Sequence, residues 1–249
     1  MARQKSIFTL VGSIGDVTFY KTKDGFLAKQ KGGNSREKIK TDPRFERTRE
    51  NNQEFKEAAE AGKLLRNAIR VLIKNAWDTW VTSRLAGLLT KVLKEDMSSR
   101  RGERKIANGL NSSNGKALLK NFNFNKNSIQ NSILQKPIFI NTTDGSITID
   151  NLISERDLKF PIGASHFNLS GGILMIDFNT KTYDLKLMDA YNGPINNTLQ
   201  EISITTQTLP AGNGIKLYFL KIEFLQLING IQYAYGDGFY NSLAIVEID

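Results

Sequence analysis

Apolar side chains recur every three or four residues between positions 43 and 93, and every second residue between 137 and 248. The first period is that of a helix with one buried face, and the second that of strands with one buried face. A chain that runs the two patterns in succession is expected to be α+β, with helices and sheet segregated. Charge changes over in the same region. Residues 1–126 carry 27 Lys and Arg against 13 Asp and Glu, whereas residues 127–249 carry 7 against 12. A basic half of net +14 therefore precedes an acidic half of net −5. Two modules are expected: a basic hairpin-plus-helical domain over 1–126 and an acidic β-sandwich domain over 127–249. The Asn-rich run Asn121–Ser132 supplies the expected linker, and it is the stretch expected to be most open to protease.

Ser6–Val11, Val17–Lys21 and Phe26–Lys31 read as three short strands, with Gly12 and Gly15 at the first turn. Asp24-Gly25 is a two-residue hairpin signal. That turn pairs Lys23 with Phe26, Lys21 with Ala28 and Phe19 with Gln30. Alternation then puts Lys21 and Lys23 on one face and Lys29, Lys31 and Tyr20 on the other, so no single basic ribbon forms. Gly32–Lys40 reads as a loose, flexible segment. Asp42-Pro43 starts a helix, with a capping carboxylate and proline at the first position. The spacing of Phe45, Phe55, Ala59, Gly62, Leu65, Ile69 and Leu72 predicts one helix from Pro43 to Ile73, with Gly62 at a close-packing point. A second helix is expected over Ala76–Leu93, antiparallel to the first, with Trp77, Trp80, Leu65 and Ile69 buried between them. Shorter helices are expected near Glu103–Leu110 and Lys116–Phe122.

The densest positive cluster is Arg100, Arg101, Arg104 and Lys105. Such a cluster can contact phosphates, and these four residues, with Lys29 and Lys31, are the candidate nucleic-acid contacts. No base-reading motif accompanies them, so a solvated loop between helices is the preferred reading. The carboxylates along Glu46–Glu60 read as helix surface groups offset by neighbouring Arg and Lys.

Beyond the Asn-rich run, strands are expected at Pro137–Ile140, Ser146–Asp150, Ala164–Leu169, Ile173–Phe178, Tyr183–Met188, Gln200–Gln207, Ile215–Phe224, Ile231–Tyr235 and Leu243–Ile248. Nine short strands separated by turn signals, Asn229-Gly230 among them, point to an antiparallel sandwich. In Ile215–Phe224 the apolar parity switches after Phe219, which predicts a bulge or a bend between sheets.

Several motifs share an order with a known group. They are Gly12-x-x-Gly15 with Phe19-Tyr20-Lys21, the run Asp42-Pro43-Arg44-Phe45-Glu46-Arg47-Thr48-Arg49-Glu50-Asn51, Gly163-Ala164-Ser165-His166-Phe167, and Phe224-Leu225-Gln226-Leu227-Ile228-Asn229-Gly230. Together they resemble a family of uncharacterised bacterial proteins frequent in the Bacteroidetes. The resemblance implies a hairpin-plus-helix module followed by a β-sandwich, and it implies no activity. A glycine-started hairpin before a Pro-initiated, Arg-rich helix also recurs in structural proteins of phages and mobile elements, by analogy only.

The chain has no cysteine, hence no thiolate nucleophile, disulfide or Cys-based metal site. His166 is the one histidine, and Ser165 beside it is expected on the opposite face of a strand, which argues against a catalytic pair. Asn141-Thr142-Thr143-Asp144-Gly145 and Gly236-Asp237-Gly238 lack the ligand spacing of a calcium loop and read as turns. No phosphate-loop or dinucleotide motif is present. No apolar run approaches the roughly 20 residues of a membrane span. The N-terminal stretch lacks a leader's apolar core, so the expected place is the cytoplasm. No enzyme, cofactor or metal site is expected. The leading expectation is a structural or assembly protein that contacts other copies or a larger particle, with the N-terminal hairpin and Gly32–Lys40 as an arm. The alternative is non-specific nucleic-acid binding through the basic half.

Overall fold

The computed structural model describes every residue except Met1, Ser6 and Gly33. The fold is α+β, with N-terminal strands, a long helix and a C-terminal antiparallel sheet domain. Two compact units are resolved, Met1–Arg49 and Glu50–Asp249. The first holds β1 (Ala2–Arg3), β2 (Gly12–Ile14), β3 (Val17–Thr22) and β4 (Gly25–Gln30), in the antiparallel order β1-β4-β3-β2. The expected first strand is displaced: residues 7–11 are not strand, the pairing begins at Gly12, and Ser6 lies outside the described residues. The β3–β4 register also differs by two residues. Lys21 pairs with Phe26 and Phe19 with Ala28, and the loop is Lys23-Asp24. Thr22 sets this register, because its hydroxyl donates to the Gly25 carbonyl at 3.0 Å and accepts from the Asp24 N–H at 3.2 Å. Gly25 then supplies the positive φ of 112° at the start of the strand. A slip of two keeps every side chain on its face, so Lys21 and Lys29 still point to opposite sides.

The supposed flexible segment contains α1 (Arg36–Thr41), capped by Ser35, whose hydroxyl accepts from Lys38 N–H at 3.2 Å; Gly33 lies outside the described residues. Asp42 ends α1 and caps the next turn, accepting from Arg44 N–H at 2.9 Å ahead of Pro43. The long helix α2 (Glu46–Ala68) follows and breaks at Ile69 before α3 (Arg70–Ile73). The second helix is α4 (Val81–Lys94), whose Leu85 and Leu89 meet α2 at Gly62. The buried stripe of α2 and α3 is Glu54, Ala58, Ala61, Gly62, Leu65, Ala68, Ile69 and Leu72. Gly62, Leu65, Ile69 and Leu72 lie on it as expected, but its N-terminal end is one residue off, with Glu54 and Ala58 inward and Phe55 outward. Gly62 does sit at the close approach: a Cβ there would lie 3.4 Å from Leu89 and 3.6 Å from Leu85. Three short helices follow, α5 (Ile106–Leu110), α6 (Ser113–Leu119) and α7 (Gln130–Ile133).

The sheet domain has two layers. A three-stranded sheet orders β10 (Leu199–Ile204), β6 (Ser146–Ile153) and β5 (Phe139–Asn141), with α8 (Ser154–Asp157) after β6. The larger sheet is built on β7 (His166–Asp177) and β11 (Ile215–Ile228), paired antiparallel over eleven residues each. β8 (Thr182–Leu187) and β9 (Tyr191–Pro194) share the outer edge of β7, while β13 (Ser242–Ile248) and β12 (Ile231–Ala234) share that of β11. The hairpin at Asn229-Gly230 forms as expected, both residues at positive φ. The two expected strands Ala164–Leu169 and Ile173–Phe178 are one strand, β7, which runs straight through Gly171-Gly172.

The parity switch has a layered cause. Leu174, Ile176, Phe178, Ile215, Leu217 and Phe219 pack on the helices, while Phe167, Leu169, Ile173, Leu220, Ile222 and Phe224 pack on the smaller sheet. Each central strand is thus covered on one face at one end, on the other face at the other end, and on both in the middle, where residues 171–174 and 217–222 are all buried. The β7–β11 ladder is continuous, and the irregularity falls instead on the β13 edge, opposite Tyr218 and Phe219.

The Asn-rich run is not a linker. Phe122 and Phe124 are buried, Asn121 and Phe124 donate backbone N–H groups to Ile245 and Leu243, and Ile245 donates back to Phe122, adding a short edge to β13. Asn125 is fully buried, and its amide reaches the carbonyls of Gly238, Phe239 and Asn241 at 3.2, 3.0 and 2.9 Å. Asn is usable here because its side chain supplies the hydrogen bonds that irregular backbone lacks. Residues on both sides of the expected 126/127 boundary share one hydrophobic cluster, and the compact units divide at Arg49/Glu50.

Candidate functional site

The loop from 95 to 105 is organised by a buried carboxylate. Asp96 accepts from Ser98 N–H (3.0 Å) and Oγ (2.7 Å), Ser99 N–H (3.1 Å), Lys105 N–H (2.9 Å) and Asn108 Nδ2 (3.1 Å). Burial opposes its charge, but these donors outweigh that and hold the carboxyl well below the usual range. The loop so formed lays three of the four candidate cations along α2. Arg101 lies 3.3 Å from Glu50, Arg104 3.7 Å from Glu54 and Lys105 3.6 Å from Glu57. Arg101 also donates to Asn51 at 2.8 Å, and Gly102 N–H to the buried Glu54 at 2.9 Å. Gly102 is required: its φ is 88°, and a Cβ would lie 3.0–3.2 Å from Glu50. Glu50, Glu54 and Glu57 follow at helical steps on one face, so the acidic stripe of α2 and the basic cluster form a clasp. Arg100 is exposed, and alone of the four it makes no ion pair among the described residues. The signals for this clasp were the acidic spacing on α2 and the serines two and three residues after Asp96.

The other two candidates are also engaged, within the N-terminal unit. Lys29 Nζ lies 5.6 Å from the centre of the Tyr20 ring, and Lys31 Nζ donates to the Gly15 carbonyl at 3.1 Å. This unit carries 12 Lys and Arg against 5 Asp and Glu, a net of +7, leaving +2 for Glu50–Asp249. Among its described residues none is buried. Its apolar groups sit in the open: Val11 is 70% exposed, Ile14 62% and Ile7 95%. The Gln4 amide ties down the loop beside them, exchanging bonds with Leu10 at 3.2 and 3.0 Å and donating to Leu27 at 3.1 Å.

Both tryptophans, expected in the core, are turned outward, Trp77 at 55% and Trp80 at 56% exposure. The helical core is filled instead by Ala58, Ala61, Leu65 and Ile69 with Leu85, Leu89 and Val92. Asp78 anchors the connection. It is buried, accepts from Trp80 N–H at 2.7 Å and Lys126 N–H at 2.9 Å, and pairs with Arg84. Burial works against its charge, and the Lys126, Trp80 and Arg84 donors lower its pKa in spite of it.

Ser165 and His166 do meet: their Oγ and Nδ1 atoms lie 3.0 Å apart, because Ser165 precedes β7 and escapes strand alternation. The serine Oγ also accepts from Leu227 N–H at 2.8 Å, so the pair ties β7 to the β11 hairpin. Asp144 and Asn141 close their loop on each other at 2.8 Å, which is turn chemistry. Among the described residues no helix is long and apolar enough to cross a membrane. Comparison with known protein families, curated proteins and solved structures finds no match.

Proposed function

We propose that this chain is a non-enzymatic structural or assembly protein, in which the N-terminal unit contacts another copy or a larger particle. The observation that carries this reading is a four-stranded sheet with no buried residue of its own and with Val11 and Ile14 in the open. A small sheet gains independent stability from a covered apolar face, so a unit of this kind is completed by a partner. Head-to-tail contact between copies would bring this unit, net +7, to the acidic residues 127–249, net −5 within a second unit of net +2. The alternative, non-specific nucleic-acid binding through the 100–105 cluster, is less well supported, since Arg101, Arg104 and Lys105 already neutralise α2.

The test is light scattering on the full chain at low and high salt, with and without duplex DNA. Assembly predicts larger species that dissociate as salt rises and that V11D and I14D abolish without change in circular dichroism. A monomer that shifts only when DNA is added would favour the alternative.

A further inference from the structure

Trp77 stands out from a backbone that is held on both sides. The Lys74 carbonyl accepts from Lys221 Nζ at 2.9 Å, the Asn75 carbonyl from Asn241 Nδ2 at 2.9 Å, and Asp78 N–H donates to Phe124 O at 3.3 Å. Asn75 itself is at φ 61°. Gly238 lies so close to the Asn75 carbonyl that a Cβ would come within 2.3 Å of it. Lys221 and Asn241 are both buried, so the anchors belong to the sheet and not to the solvent. An indole held out in water by fixed backbone is preorganised for a face-on contact.

The ring lines an open groove of about 900 Å³ together with Val71 and Val81. Arg66, Arg70 and Lys74 line the same groove, four residues apart along the chain across the break at Ile69 and the end of α3. No carboxylate lines it, and none of the three cations makes an ion pair among the described residues. The 101–105 cluster is the opposite case, with each cation matched to a glutamate. A row of unmatched cations beside a fixed aromatic face suits a polyanion that also offers flat rings.

We propose that this groove binds single-stranded nucleic acid without sequence readout, one base stacking on Trp77 and phosphates lying on Arg66, Arg70 and Lys74. A duplex keeps its bases stacked and would use only the cations, and an acidic peptide would leave the indole idle. The inference stands independently of the assembly reading.

The test is fluorescence anisotropy of a labelled oligo-dT with the full-length chain, against a duplex of equal length and unlabelled polyglutamate as competitor. The single strand is expected to bind more tightly than the duplex. Its affinity should fall with salt at a log–log slope of about −2, for three phosphates. W77A should weaken binding about tenfold or more, while W77F retains most of it. The double change R70Q/K74Q should flatten the slope to about −0.7, leaving one contact, while R100Q leaves it unchanged. Circular dichroism of each variant reads folding separately. No binding at low salt, equal affinity for duplex, indifference to W77A, an equal effect of R100Q, or competition by polyglutamate as effective as by oligo-dT would each overturn the proposal.

Discussion

Single side chains divide here into those that hold the fold and those that face out, and residue type is a poor guide to which is which. Trp80 is large and aromatic, yet more than half exposed. W80A should therefore cost less than about 1 kcal/mol in denaturant unfolding, against the 3–5 kcal/mol of a buried aromatic. Asn125 is small and polar, yet N125A should cost roughly 2–3 kcal/mol, because three carbonyls lose their donor inside the protein. Asp96 is a third case, with five hydrogen bonds converging on its carboxylate. Its folded pKa is depressed, as is that of Asp78. Their contribution to stability is therefore fully present above about pH 4, the unfolded carboxylate's range, and is lost as pH falls through the folded values. D96N should lower stability at neutral pH and flatten its acid dependence, which urea melts at pH 7 and pH 3 would reveal.

At the scale of elements, what was legible in the sequence was whatever periodicity or turn chemistry writes locally. The helices α2 and α4, the Asn229-Gly230 hairpin, the Asp42-Pro43 start and most strands of the sandwich stand where spacing puts them. The errors have tertiary causes. The β3–β4 register was decided by the Thr22 hydroxyl rather than by Asp24-Gly25. The buried stripe of α2 admitted Glu54 because a distant loop brings Gly102 N–H and Arg104 to it, and no helical pattern reports that. The run 121–132 looked like a linker because composition counts asparagines without showing where their amides go. Of the candidate site, the cluster 100–105 does lie in a loop between helices, but its pairing with Glu50, Glu54 and Glu57 spans some fifty residues of sequence. Limited trypsinolysis checks the reassignment of the Asn-rich run. Lys126 should stay intact while the exposed bonds after Lys31, Lys38 and Lys40 are cut first, and mass spectrometry would identify the products.

For the whole molecule, the dominant fact is that helices and sheets share the strands between them. A fragment starting at residue 127 would expose Leu174, Ile176, Leu217, Phe219 and Ile245, which the helices cover in the intact chain. It should be insoluble or molten by near-ultraviolet circular dichroism and dye binding, whereas residues 50–249 should melt in one transition. The staggered clothing of β7 and β11 carries a kinetic meaning. Near Gly171-Gly172 a Cβ would meet Ile204 of the smaller sheet from one side and Leu72 of the helices from the other. Neither layer can peel away without baring this crossing point, so local opening has no route to its amides. In deuterated solvent the N–H groups of Gly172, Phe219 and their ladder neighbours should be the last to exchange, reporting the free energy of complete unfolding.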